Sequence, residues 1–260
     1  MSKDIYSHFH PTERAFVEQA IDWIDRAVRS RRHKLTDFLD PRQTWILTTL
    51  ANREPDALIR FSGGYPEAER KRAIIAFADT PPEHLEFSVT RLSIVPKGGK
   101  FLSLNHGDYL GSLLSLGIKR DKVGDLLVTE TDCQCLLATE IADFIRMNLR
   151  QVGRTSVTVD ELPLAGLPNV QPAFSEMRFT VASLRLDAII GDVCRLSRAK
   201  AQIPIKAGRC RVNWKTEEDS SRLLQEGDVI SLTGFGRFKV LEIAGNSKKG
   251  RIFVKVGKYL

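Results

Sequence analysis

Leu184-Arg185-Leu186-Asp187, Ser197-Arg198-Ala199-Lys200-Ala201, Ile205-Lys206-Ala207-Gly208, Arg209-Cys210-Arg211-Val212-Asn213, Gly227-Asp228-Val229-Ile230 and Gly234-Phe235-Gly236 follow one another in the last third of the chain, and their order decides how the whole is read. Spacing over Asp187–Val193 and Ser197–Lys206 predicts two short helices, with Ser197 as N-cap of the second. Arg195, Arg198 and Lys200 crowd the start of that second helix. A helix N-terminus already turns unbonded N–H groups outward and carries partial positive charge, so cations beside it make a phosphate site. Gly208 ends the helix, and Arg209 and Arg211 then alternate with Cys210 and Val212 at strand period. One face of that strand is basic and the other apolar. Arg185, Asn213, which offers both a donor and an acceptor, and Lys215 complete the candidate contacts.

Solvated surface is the ordinary fate of Lys and Arg, but their distribution here is uneven. Residues 181–260 hold sixteen Lys and Arg against eight Asp and Glu, whereas residues 1–180 hold twenty-three against twenty-four. The whole net charge of +7 therefore sits in the last third. Such asymmetry points to a nucleic acid or an anionic surface as partner.

The ordered set resembles the S4 domain, a small RNA-binding module. One position departs from it: Pro204 falls inside the second predicted helix, removes a donor and clashes with the preceding turn, so that helix is expected to kink or end early. Contact through Lys206 is then in doubt, while the phosphate site at the helix start is kept.

A chain of 260 residues, 42% hydrophobic and 27% charged, can bury cores in two or three domains. No apolar run reaches the length of a membrane span, and Met1-Ser2-Lys3-Asp4 opens without a signal-peptide apolar region, so a soluble intracellular protein is expected. Cys133, Cys135, Cys194 and Cys210 fit strands and helices rather than a secreted disulfide framework. Cys133-x-Cys135 lacks a second ligand pair at finger-like spacing, which makes buried thiols the expectation and leaves no metal or cofactor site to assign.

Upstream, Phe16, Val17, Ala20, Ile21, Ile24, Ala27 and Val28 recur at helical spacing, predicting a helix over about 11–32. Asp40-Pro41 restarts the pattern as N-cap and first helical residue. Phe61-Ser62-Gly63-Gly64-Tyr65 reads as a turn, since no Lys-Ser/Thr follows the glycines as a phosphate loop requires. Lys71–Ala78, Leu85–Val95, Leu126–Val128, Cys133–Ala138 and Thr155–Val159 read as strands, with helices at Asp108–Leu116 and Thr139–Arg150. That order is βαββαβ-like with an extra leading strand, compatible with a ferredoxin-like or RRM-like sheet. RRM stacking aromatics are absent from these strands, which suits a scaffold. His106 and Asp108 read as capping residues, and Lys119, Arg120 and Lys122 as a possible secondary RNA contact. Leu162–Pro172 is the expected linker, its leucines suggesting that it packs against a domain.

The helical start, Phe61-Ser62-Gly63-Gly64-Tyr65-Pro66-Glu67-Ala68-Glu69-Arg70-Lys71-Arg72, Leu110-Gly111-Ser112-Leu113-Leu114, Leu116-Gly117-Ile118-Lys119-Arg120, Gly124-Asp125 and the terminal module together resemble the YlmH-type RNA-binding proteins. The resemblance covers nearly the full chain. It implies a non-enzymatic factor that binds rRNA and tRNA and joins the large ribosomal subunit, including subunits obstructed by peptidyl-tRNA after stalling. A cyanobacterial and plastid branch of similar proteins is named for a link to photosystem II, so the implied setting is the cytoplasm or the plastid stroma. A monomer without cofactor is expected. The rival reading is an RNA-modifying enzyme carrying an S4 module, of the pseudouridine synthase or rRNA methyltransferase type. Arg185-Leu186-Asp187 mimics the surroundings of a synthase's catalytic Asp, yet Asp187 opens the S4-like pattern itself, and no methyl-donor loop follows a clear strand. The architecture expected is α+β: a helical region to about 70, a mixed RRM-like sheet domain over 71–165 and an S4 domain of the αL type over 183–260.

Overall fold

The computed structural model describes residues 5–81, 85–97, 104–167, 174–247 and 250–259. It is α+β, as expected, and falls into two compact units, residues 13–170 and residues 171–260 joined by the first twelve.

The larger unit begins with α1 (Arg14–Ser30), whose stripe of Val17, Ala20, Ile24 and Ala27 is buried. The predicted helix is shorter at both ends: Pro11–Glu13 forms a 3-10 turn and Arg31 adopts a left-handed conformation, φ 52°. β1 (Lys34–Leu39) follows, then α2 (Pro41–Ala51). Asp40 caps α2 as predicted, accepting from the Gln43 N–H at 2.8 Å while the Gln43 side chain accepts from the Asp40 N–H at 2.9 Å. β2 (Ala57–Ser62) and β3 (Lys71–Phe77) complete a sheet of order β1-β3-β2. The first segment is therefore not purely helical, and β3, which the sequence reading gives to the middle sheet, is the central strand of this one. Its run Ala73-Ile74-Ile75-Ala76 is wholly buried. A strand covered on both faces is continuously apolar whichever sheet it joins, so its pattern does not name its partners. Gly63 and Gly64 make a turn, as expected, and Gly64 needs its left-handed φ of 96°.

β4 (Val89–Pro96), α3 (His106–Ser115), β5 (Val123–Val128), β6 (Cys133–Ala138), α4 (Ala142–Asn148), β7 (Gln151–Val152) and β8 (Thr155–Leu162) build an antiparallel sheet of order β5-β6-β4-β8-β7. Its first four strands have the ferredoxin-like order. Leu92, Ile94, Cys133, Cys135 and Leu137 pack on one face with Leu113 of α3 and Ile145 of α4. Burial pushes the Cys135 thiol up to about 12, out of the range of a reactive thiolate. Asn105 caps α3 by accepting from the Gly107 and Asp108 N–H groups, and the Asp108 carboxylate accepts from the Asn105 N–H, which accounts for Asp108 structurally.

The opposite face of this sheet, which an RRM would leave open, is covered over β6 and the first half of β4, while Val95 and the outward residues of β8, Ser156, Thr158 and Asp160, stay exposed. β6 is buried along its whole length, Gln134, Leu136 and Ala138 included. Arg91, 5% exposed, donates to Gln134 Oε1 at 3.0 and 2.6 Å and to the carbonyls of Pro163, Ala165 and Gly166. The start of the expected linker is thus laced back over the sheet; residues 168–172 of that linker lie outside the described residues. Asp125 on β5 accepts from the Tyr65 hydroxyl and from the Glu69 and Arg70 N–H groups at 2.7–3.0 Å, and buried Arg72 donates to the carbonyls of Thr36 and Ser88 at 2.8 Å. These bonds join the two sheets of the unit. Replacing Arg91 with Ala strands four acceptors and is expected to cost about 1–3 kcal/mol, read as a lower urea midpoint with unchanged slope.

The smaller unit is a sheet with two helices on one face. β9 (Phe174–Val181) is followed by α5 (Leu186–Cys194), α6 (Arg198–Lys206), β10 (Cys210–Val212), β11 (Lys215–Thr216), β12 (Val229–Leu232), β13 (Gly236–Asn246) and β14 (Ile252–Tyr259), in the sheet order β11-β10-β12-β13-β14-β9. Ile189, Ile190, Ala201 and Ile205 pack on Val212, Ile230, Val240 and Val256. β9, ahead of the expected start at 183, pairs along its full length with β14, from Phe174 opposite Tyr259 to Val181 opposite Ile252. Pro204 does not end α6, which runs on to Lys206. The carbonyl that loses its donor belongs to Lys200, on the exposed first turn where water can bond it, and the proline ring itself is buried.

Candidate nucleic-acid interface

The site is built around a buried acid. Asp187, 0% exposed at the start of α5, accepts from Arg185 through both carboxylate oxygens at 3.1 and 3.0 Å, from Arg198 Nε at 3.1 Å and from Gln202 Nε2 at 2.8 Å. Burial alone would raise its pKa; the bonds from Arg185, Gln202 and Arg198 outweigh that and hold the carboxyl well below the usual range. Two guanidinium groups are thereby fixed on one anion. Arg198 remains 58% exposed, so the edge turned away from Asp187 faces solvent.

Around this hub the other candidates take their places. Ser197 caps α6, its hydroxyl accepting from the Lys200 N–H at 3.4 Å. Arg195 ends α5 in the left-handed region, φ 54°, and with Lys200 is exposed at the junction of the two helices. Arg209 and Arg211 are exposed on the way into and along β10, while Cys210 and Val212 point to the core, as their alternation requires. Lys215 is half-buried on β11. Asn213 has a different occupation. With Trp214 it forms the left-handed turn between β10 and β11, its amide oxygen accepting from the Val229 N–H at 2.9 Å and its amide N–H donating to Asp228 at 2.7 Å. One amide N–H and the amide oxygen thus brace that turn.

Lys119, Arg120 and Lys122, in the larger unit, are not equivalent. Lys122 pairs with Asp37 at 2.6 Å and Glu140 at 2.8 Å. Arg120 donates to the Val123 and Gly124 carbonyls, and burial together with neighbouring Arg70 pushes its pKa down to about 10. Lys122 thus braces the joint between the two sheets of that unit and Arg120 is bonded back to the start of β5, while Lys119 alone of the three is exposed.

The role of Gln202 escapes the sequence reading, although its spacing of four from Arg198 puts both on one helical face. Reversal of Arg198 to Glu would bring a second carboxylate against buried Asp187, so Arg195→Glu with Lys200→Glu is the cleaner probe of phosphate contact. Among the described residues no helix is long and apolar enough to cross a membrane.

Residues 12–80 match the family model described as "YlmH, N-terminal" and residues 82–166 the one described as "Putative RNA-binding domain in YlmH". The boundary between them falls between β3 and β4, where the two sheets of the larger unit part. The ribosome-associated protein quality control protein P2 of Bacillus subtilis is 41% identical over 249 residues, 95% of this chain and 96% of that protein. The solved structure of the cell division protein ylmH from Streptococcus pneumoniae is similar, with a TM-score of 0.52 at 28% identity, covering 60% of this chain and 94% of that one.

Proposed function

Because the chain belongs to the YlmH family, we propose that it is a non-enzymatic RNA-binding factor that works with the ribosome, reading folded rRNA and tRNA on the large subunit. The observation that carries this reading is the Asp187 hub, which fixes Arg185 and Arg198 beside exposed Arg195 and Lys200 at the α5–α6 junction. A small, preset group of cations suits the phosphate-dense surface of folded RNA, which is recognised by shape more than by base edges. The name of the Bacillus relative supports association with the ribosome in quality control; the large subunit, peptidyl-tRNA and a monomeric, cytoplasmic factor follow from the YlmH-type resemblance, and the helix pair with its basic strand supports an S4-type module. In the larger unit, where the family description locates RNA binding, the central strand of the RRM-type face is covered, which favours contact over exposed cations such as Lys119, Arg150 and Arg154. Asp187 favours this reading over a synthase, because a carboxylate wholly buried and bonded by three side chains cannot reach a base.

Full-length protein is expected to co-sediment with large ribosomal subunits, more than with small subunits or free RNA, and the Arg195→Glu, Lys200→Glu variant to stay at the top of the same gradient. Wild-type protein that remains at the top even when stalled complexes are enriched would overturn the ribosomal role and leave only RNA binding.

A further inference from the structure

The sheet of the smaller unit has α5 and α6 on one face, and its other face carries a pattern that the Asp187 site does not use. Along β14 the residues Phe253, Lys255, Gly257 and Tyr259 alternate with Val254 and Val256, which are buried against the core, so the first set points the other way, and Arg251 just precedes the strand. On neighbouring β9, Thr180, Arg178, Glu176 and Phe174 stand opposite Phe253, Lys255, Gly257 and Tyr259.

The two ends of this strip differ. At one end the Phe174 ring meets Tyr259 edge-on at 4.8 Å and Arg237 lies over Tyr259 at 4.6 Å. Gly257 makes room for Phe174, since a Cβ there would come within 2.8 Å of its ring. At the other end Phe253 is 47% exposed, and its cross-strand neighbours, Thr180 and Ala244, are too small to cover it. A shallow depression of about 200 Å³ opens beside the ring, with Arg178, Lys255 and Glu242 on its edge. Arg251 is fixed next to it, donating to the Thr180 hydroxyl at 3.0 Å and to the Thr180 carbonyl. Lys255 pairs with Glu176 at 2.9 Å. An exposed aromatic face flanked by cations is the arrangement that holds single-stranded nucleic acid, the ring stacking on a base and the cations taking the phosphates on either side.

Resting on the RNA-binding reading above, we propose that Phe253 is a stacking site for one unpaired RNA base, with Arg178 and Arg251 at the adjoining phosphates. The unit then contacts RNA through the open face of its sheet as well as through the helix junction. The test uses full-length protein and two probes, an unpaired oligouridine and a blunt RNA duplex, read by fluorescence anisotropy. Phe253→Ala is expected to weaken oligouridine binding roughly 5- to 150-fold, the range carried by stacking of one base, and to leave duplex binding unchanged; Phe253→Trp keeps the affinity. Arg195→Glu with Lys200→Glu gives the converse, losing the duplex. Should Phe253→Ala bind oligouridine like wild type while the double reversal loses the duplex, the stacking site is wrong and the RNA-binding reading stands; should wild-type protein bind neither probe, both fall. If Phe253→Ala fails to fold by circular dichroism, Arg178→Ala, at an exposed position, carries the same comparison, with unchanged oligouridine binding as the overturning result.

Discussion

Raising the salt from about 50 to about 200 mM is expected to weaken binding of structured RNA by on the order of two to three decades, the loss that follows when about five phosphates are neutralised. The cations that set this number are Arg185, Arg195, Arg198, Lys200, Arg209 and Arg211, since Asn213 is uncharged and committed to its turn. Each counterion released on binding must be taken back at a higher salt concentration, and the slope of affinity against salt counts them. A titration of one RNA at several salt concentrations measures that slope, and the Arg195→Glu, Lys200→Glu variant should flatten it by about two contacts. A flat response in wild-type protein would sink the assignment.

Replacing Asp187 with Ala is the second change with a large expected effect. It leaves the Arg185 and Arg198 guanidinium groups and the Gln202 amide around an empty, buried position. Losing the bonds to the carboxylate and stranding the Gln202 amide costs about 1–3 kcal/mol, because both guanidinium groups reach solvent and can be rehydrated, and a urea melt would show this as a fall in midpoint. The acid also imposes a pH dependence of known sign. Its folded pKa is depressed, so the stability it contributes is fully present above the unfolded value of about 3.9 and is lost as the pH falls below it toward the folded value. Wild-type protein should therefore lose more stability below about pH 4 than Asp187→Asn does. Equal acid sensitivity in the two proteins would mean that the carboxylate is not the anion on which the cluster depends.

How much a residue discloses through the sequence alone depends on whether its partners are local. The Ser197 cap, the Asp40 capping box and the Cys210–Val212 alternation are settled within a few positions, and each is legible there. β3 reads as a strand but is assigned to the wrong sheet, because its buried run looks the same in either. β9 goes unassigned because what marks it is β14, more than seventy residues on. The uses of Lys122 are hidden for the same reason: Asp37 is 85 positions away and Glu140 is 18. A run such as Lys119-Arg120-Asp121-Lys122 reports charge and not whether that charge is spent. Arg185-Leu186-Asp187 shows the limit from the other side, since a three-residue pattern shared with a catalytic acid is here an anchor. Pro204 departs from propensity because the lost hydrogen bond falls where solvent replaces it.

The sharing of one carboxylate by Arg185 and Arg198 also bears on the entropy of association. A long side chain that becomes ordered only when its partner arrives gives up about 0.5–1.5 kcal/mol of freedom at that moment. Here the ordering is completed during folding, so in the proposed site the two guanidinium groups would meet a phosphate already stationary. On the proposed reading the Asp187 hub thus moves a cost from the binding step to the folding step, which is how a surface with few contacts would hold on to an RNA.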